Sequence, residues 1–174
     1  IWSVTLERSE YTFERQSTPV AIAIAFDLSP SMLAIPDPGL GISQPPRFER
    51  GKAVLLDYLR ALEEQGQPVI VSVLGFTKNA SIIMGWDQST AQVKDILDYA
   101  VSPDLFGSSG TSMEAAAKSL LSVFSMLPAE LSSTSRQLAI IVSDGEDTMR
   151  ASSFDYAKQE LSDGGFDTIA LQTG

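Results

Sequence analysis

Two short apolar runs, each stopping at an aspartate, constrain the fold of this chain more than any other feature. Val20 to Phe26 (VAIAIAF) is apolar at every position and ends at Asp27, and Leu138 to Val142 (LAIIV) ends in the polar turn Ser143-Asp144-Gly145. Runs this short, without polar alternation, suit strands covered on both faces, as in a parallel sheet flanked by helices. Val69 to Phe76 (VIVSVLGF) reads as a second strand and Ser81 to Met84 as a short third, before the Leu138 run as fourth. The tight Lys78-Asn79 connection makes the second and third an antiparallel hairpin at a sheet edge. Phe166 to Leu171 supplies a fifth strand.

Helical spacing fills the gaps between these runs. Phe48, Leu55, Tyr58, Leu59 and Leu62 form one stripe, ended by Gly66 and Pro68. Ser89 is placed to cap a helix carrying Val93, Ile96, Leu97 and Ala100. After a Gly/Ser loop at 107–110, Met113, Ala117, Leu120, Leu121 and Phe124 form a third stripe, with Pro128 read as its end. A last amphipathic segment runs from Phe154 to Leu161. The alternation predicts one α/β domain over 18–174: a Rossmann-like three-layer sandwich with a mostly parallel central sheet, one short antiparallel edge strand, and helices on both faces. Residues 1–17, where Trp2, Tyr11 and Phe13 mix with charges, read as an extended lead-in.

Chemistry is limited by what the 174 residues omit. There is no Cys, so disulfides, thiolate metal sites and Cys nucleophiles are excluded; there is no His, so Ser-His-Asp triads, His-ligated zinc and imidazole catalysis are excluded too. A net charge of −10 sets nucleic acid and acidic membranes aside as partners. No apolar run reaches the roughly 18–20 residues needed to cross a bilayer. The chain begins at Ile1 without a signal peptide, which reads as a processed or excised piece whose flanking anchors lie elsewhere.

In open α/β sheets, ligands collect beyond the carboxyl ends of the strands, where strand order reverses. The first strand continues Asp27-Leu28-Ser29-Pro30-Ser31, and the fourth ends Ser143-Asp144-Gly145. If these strands are neighbours, both carboxylates share one sheet edge. Gly110-Thr111, opening a helix, brings a third hydroxyl to the set. Asp27, Ser29, Ser31, Thr111 and Asp144 are all hard oxygen donors, which suit one divalent cation, Mg²⁺ first and Mn²⁺ or Ca²⁺ as alternatives, rather than zinc or copper. Two carboxylates neutralise such an ion while neutral hydroxyls fill other positions, so it stays electrophilic towards an outside carboxylate. Taken singly, each piece is ordinary: a strand-end turn, a helix N-cap, an Asp-Gly turn. Their order and placement join them.

Asp27-x-Ser29-x-Ser31, the later Gly110-Thr111 and Ser143-Asp144-Gly145 resemble the metal-ion-dependent adhesion site of von Willebrand factor type A domains. The resemblance covers about residues 18–174. It implies that Ser29, Ser31, and Thr111 or Asp144 meet the metal directly or through water, and that an Asp or Glu of a protein partner completes the octahedron. It implies a binding module rather than an enzyme. The stretch Phe26 to Ala34, followed by Arg47-Phe48-Glu49-Arg50-Gly51-Lys52, is similar to bacterial Bat-type, membrane-anchored A domains. That group works beside MoxR-type AAA+ ATPases in cofactor insertion or maturation of periplasmic enzymes. The likeness therefore implies an extracytoplasmic, periplasmic location, with the membrane met only through anchors outside this chain. Pro30 stands where the family often has Gly, and the family's usual final helix and strand would follow Gly174, which implies truncation, a shortened fold or a further tail.

Three rival readings lack a residue that they need. Gly110-Thr111-Ser112-Met113 resembles the nucleophile segment of subtilisin-type proteases, but no His exists to complete a triad. Gly107-Ser108-Ser109-Gly110 hints at a phosphate cradle, but no Gly-Lys-Ser/Thr follows. A Mg²⁺-dependent phosphatase with Asp27 as nucleophile would need a second Asp two residues on, where this chain has Ser29. A scaffold with a vestigial site remains a further alternative. Glu146 and Asp147 read as a solvated acidic loop, Arg47, Arg50 and Lys52 as a solvated helix start or a contact for an acidic partner, and Trp86 and Phe106 as core or loop anchors.

Overall fold

The computed structural model describes residues 18–35, 44–87, 90–99, 101–103, 110–145 and 154–173. Its strands are β1 (Val20–Asp27), β2 (Val69–Phe76), β3 (Ala80–Asp87), β4 (Arg136–Ser143) and β5 (Asp167–Gln172). Its helices are α1 (Arg47–Glu64), α2 (Thr90–Tyr99), α3 (Met113–Ser125), α4 (Ala129–Thr134) and α5 (Phe154–Asp163). The expected lead-in, the Ser89 cap, Phe106, the 107–109 loop, Glu146 and Asp147 all lie outside the described residues.

The run that is apolar at every position takes the centre of the sheet. β1 is buried from Ala21 to Asp27 and pairs in parallel on both sides, with β2 from Val20↔Val69 to Asp27↔Phe76 and with β4 from Val20↔Arg136 to Phe26↔Val142. β5 continues the sheet in parallel beyond β4, and β3 closes the other side antiparallel to β2, giving the order β3-β2-β1-β4-β5. The two strands that end in the candidate aspartates are therefore direct neighbours.

Alternate residues of a strand leave opposite faces, and the core divides accordingly. Ile22, Ile24 and Phe26 of β1 cluster with Phe48, Leu55 and Leu59 of α1 and with Val93 and Leu97 of α2. Ala23 and Ala25 cluster with Met113, Ala117 and Leu120 of α3 and with Ala157 and Leu161 of α5. The small β1 residues lie on the side of α3, the large ones on the side of α1.

Two elements differ from the sequence expectation. β3 spans eight residues rather than four. It is extended through Gly85-Trp86-Asp87 by irregular pairing to β2, with register shifts around Val73, and by Trp86, whose Nε1–H donates to the carbonyl of Val123 at 3.0 Å. Pro128 does not close α3, which ends at Ser125; it stands at the N-cap of α4, a six-residue helix with no buried residue. A helix without an apolar stripe leaves no periodic signal to read.

Gly51 sets how closely α1 approaches the sheet. A Cβ there would lie 2.5 Å from Val142 Cγ1 and 2.9 Å from Thr173 Cγ2. Gly51→Ala is expected to destabilise the domain by about 1–3 kcal/mol through overpacking, even though Ala is the better helix former. Urea denaturation checks this, and an unchanged or raised midpoint would contradict it.

Candidate metal centre

Asp27 is the last residue of β1, and its backbone is still paired to β2. Its side chain is inaccessible to solvent. Oδ1 accepts the backbone N–H of Ser29 at 2.9 Å, and Oδ2 accepts the hydroxyl of Ser143 at 2.5 Å. Burial pushes the Asp27 carboxyl up to about 6; the hydrogen bonds from Ser143 and Ser29 work against that rise, and the charge of Asp144 adds to it. A buried carboxylate with neutral donors on both oxygens is a group that a cation would stabilise strongly.

The loop after Asp27 is folded down onto the sheet by Leu28. Its backbone N–H donates to the carbonyl of Phe76 at 2.8 Å, and its side chain occupies the space above Gly75, where a Cβ would come within 2.4 Å of Leu28 Cδ1. Ser29 then stands at the N-cap position of a single 3₁₀ turn, Pro30–Leu33, without a capping bond from its side chain. Pro30 at the first position of that turn suits its fixed φ and has no donor to lose, so the departure from Gly stiffens the loop without disturbing it. Buried Met32 pins the turn from below. The result brings the hydroxyls of Ser29 and Ser31 within 2.9 Å of each other, Ser29 buried and Ser31 partly open.

Thr111 is buried, immediately after Gly110, whose φ of 106° is a conformation that favours glycine. The next residue, Ser112, donates its N–H to the carbonyl of Thr77 at 2.9 Å and caps α3 by accepting from Ala115 N. Thr77 directly follows the β2 residue paired with Asp27, so this bond brings the start of α3 to the edge where Asp27 lies.

Asp144 follows β4 and is followed in turn by Gly145 at φ 86°. The Gly145 N–H donates to Ser143 Oγ at 3.2 Å, and Gln172 Nε2 donates to the Asp144 carbonyl at 3.4 Å. The Asp144 side chain is almost wholly buried and pairs with Arg47, Nη1 to Oδ2 at 2.9 Å. All five expected residues therefore lie at one end of the sheet, with Asp27, Ser29 and Ser31 joined through Ser29. Among the described residues no three His, Cys, Asp or Glu side chains converge as a metal site, so the set depends on two carboxylates and its hydroxyls.

Two participants escape the sequence reading. Ser143 belongs to the quoted turn, but its role as donor to Asp27 follows from the register that places Val142 beside Phe26. Arg47 is not a purely solvated helix start: it is tied to Asp144, 97 residues away in sequence, and local sequence carries no signal of that pairing. Lys52 departs from a solvated helix start as well: its side chain is only 14% exposed and pairs with Glu49 and with Asp98 of α2.

Among solved structures, the chain is similar to the conserved hypothetical protein BatB of Bacteroides thetaiotaomicron, with a TM-score of 0.69 and 22% identity over 87% of this chain and 65% of that one. An aerotolerance-related membrane protein of Bacteroides fragilis gives a TM-score of 0.67 and 22% identity, covering 87% of this chain and 66% of that one. Proximal thread matrix protein 1 from the mussel byssus gives 0.57 and 16% over 88% of this chain and 36% of that one. The chain thus spans just under two thirds of the length of the two Bacteroides structures. At such identities the likeness concerns the fold, which is that of Bat-type, von Willebrand factor A-like domains. No protein-family model and no curated protein matches the sequence.

Proposed function

We propose that this domain is a metal-dependent protein-binding module. The observation that carries the reading is the meeting, at the carboxyl edge of two adjacent parallel strands, of buried Asp27, the paired hydroxyls of Ser29 and Ser31, and buried Thr111 and Asp144. The donor set fits a hard divalent cation, Mg²⁺ before Mn²⁺ or Ca²⁺. Asp27, Ser29, Ser31, Thr111 and Asp144 would hold it, and it would supply an electrophilic position for an Asp or Glu carboxylate of the partner. Asp27 contributes fixed negative charge from the rigid strand, the two serines contribute neutral oxygens from a proline-stiffened turn, and Thr111 and Asp144 come from the adjoining loops. Without Cys or His, and with Ser29 in place of a second catalytic Asp, the domain has a recognition role rather than a catalytic one.

The fold likeness to Bat-type proteins extends this proposal to an extracytoplasmic setting, in which the domain assists maturation or cofactor insertion of a periplasmic enzyme alongside a MoxR-type ATPase. Among the described residues no helix is long and apolar enough to cross a membrane, so any membrane anchor would be contributed by other segments.

Calorimetric titration with Mg²⁺ and Mn²⁺ tests the metal directly. One binding event is expected for the native chain, with a higher Tm at saturation, and none for Asp144→Ala. Capture of partners from source extract, with Mg²⁺ or with chelator, then tests the use of the metal. Retention only with metal is the expected result; equal retention in both would move the binding surface elsewhere.

A further inference from the structure

The ion pair between Arg47 and Asp144 leaves the centre with a cation of its own. Arg47 opens α1, on the same face as Gly51 one turn later, and Gly51 is what allows α1 to lie against the end of β4. Its Nη1 reaches Asp144 Oδ2 at 2.9 Å, while its Nε is buried and has no hydrogen-bond partner. The contact therefore runs through one nitrogen and one oxygen, without the two-point fork that makes an arginine–carboxylate pair strong. Arg47 itself remains 24% exposed, so a route to solvent is open to it, whereas Asp144, at 1%, has none.

Charge balance separates two states of this arrangement. Asp144 is neutralised by Arg47, and Asp27 is held only by neutral donors. A divalent ion on both carboxylates would balance them by itself. Among the described residues no other acidic side chain pairs with this guanidinium, so keeping it against Asp144 would then leave a positive charge uncompensated where unpaired charge is costly. Other basic residues of this helix start do not substitute for it: Lys52 is engaged by Glu49 and Asp98, and Arg50 Nη1 donates to the Thr173 carbonyl at 3.5 Å.

We infer that Arg47 is an exchangeable counter-ion of Asp144 that a divalent cation must displace to occupy the centre. This rests on the metal reading above and adds a set point to it: Arg47 holds Asp144 in place while metal is scarce, and lowers metal affinity by the strength of that hold. Displacement swings the guanidinium outward at the rim of the centre, so metal occupancy also changes the charge presented there.

The test is calorimetric titration of the intact chain with Mg²⁺ alone, comparing the native protein with Arg47→Gln and Arg47→Lys. Arg47→Gln is expected to bind Mg²⁺ about tenfold more tightly, as follows from removing a partly buried competing charge, and to have a lower Tm in chelator. Arg47→Lys, which keeps the charge, is expected to fall between the two. Should Arg47→Gln fail to fold, the side-chain N–H resonance of Arg47 in the native protein, assigned by its loss in Arg47→Lys, is expected to shift as Mg²⁺ is added. Mg²⁺ binding by Arg47→Gln that is equal to or weaker than native, or an Arg47 resonance unmoved at saturation, overturns the displacement and leaves the metal reading standing. No Mg²⁺ binding by any of the three proteins overturns both.

Discussion

Asp27→Asn is expected to make the metal-free domain more stable at pH 8 while abolishing its response to Mg²⁺. The two effects have one origin. Burial raises the Asp27 carboxyl from 3.8 to about 6, so the folded state holds this proton more tightly than the unfolded chain does. A carboxyl raised in this way contributes stability fully below pH 3.8 and loses it as pH climbs through 6. A shift of that size corresponds to about 3 kcal/mol, which the metal-free native protein forfeits at pH 8. Asn has no charge to desolvate. It keeps an acceptor for the Ser29 N–H, while its amide donates to the Ser143 oxygen in place of accepting from it. Urea denaturation in chelator from pH 4 to pH 8 gives the comparison. The native-minus-variant difference should turn against the native protein as pH rises between 4 and 6. A variant less stable than native at pH 8 would show that the fold holds Asp27 as an anion without help. With Mg²⁺ present the order should reverse, because only the native carboxylate gains from the ion.

Phe26→Ala is expected to cost about 3–5 kcal/mol, the range for truncating a buried aromatic. Phe26 has no solvent exposure, and its ring meets that of Phe48 edge to face at 5.5 Å, joining the central strand to the first turn of α1. For a domain of this size each kcal/mol lowers Tm by roughly 2–4 °C, so a fall on the order of 10 °C follows. Truncating Leu33, which is 42% exposed, should change stability by less than about 0.5 kcal/mol and serves as the control. Scanning calorimetry checks both. Comparable small effects would mean that the packing between β1 and α1 contributes little.

What could be read from the residues follows the physics of each signal. β1, β2 and β4 announce themselves because strands covered on both faces need unbroken apolar runs, and their ends are marked by the change to polar residues. The neighbouring placement of β1 and β4, on which the meeting of Asp27 and Asp144 depends, enters the sequence reading only as a condition; the structure meets it. β3 is under-read because half of its length is held by pairing to β2 and by Trp86 rather than by its own pattern. α4 is missed because it buries nothing. In the candidate centre the oxygen donors are legible, since they cluster at strand and helix ends. The ion pair of Arg47 with Asp144 is not, because it is made by tertiary approach at Gly51 and leaves no local trace.

The double pairing of β1 has a mechanical consequence. Asp27 lies at the end of a strand that runs parallel to a neighbour on each side along nearly its whole length. A pull on Asp27 along the strand axis is therefore borne in shear, with the rungs of both ladders loaded together rather than opened one after another. A strand held on both sides in this way makes a rigid post of the residue at its end.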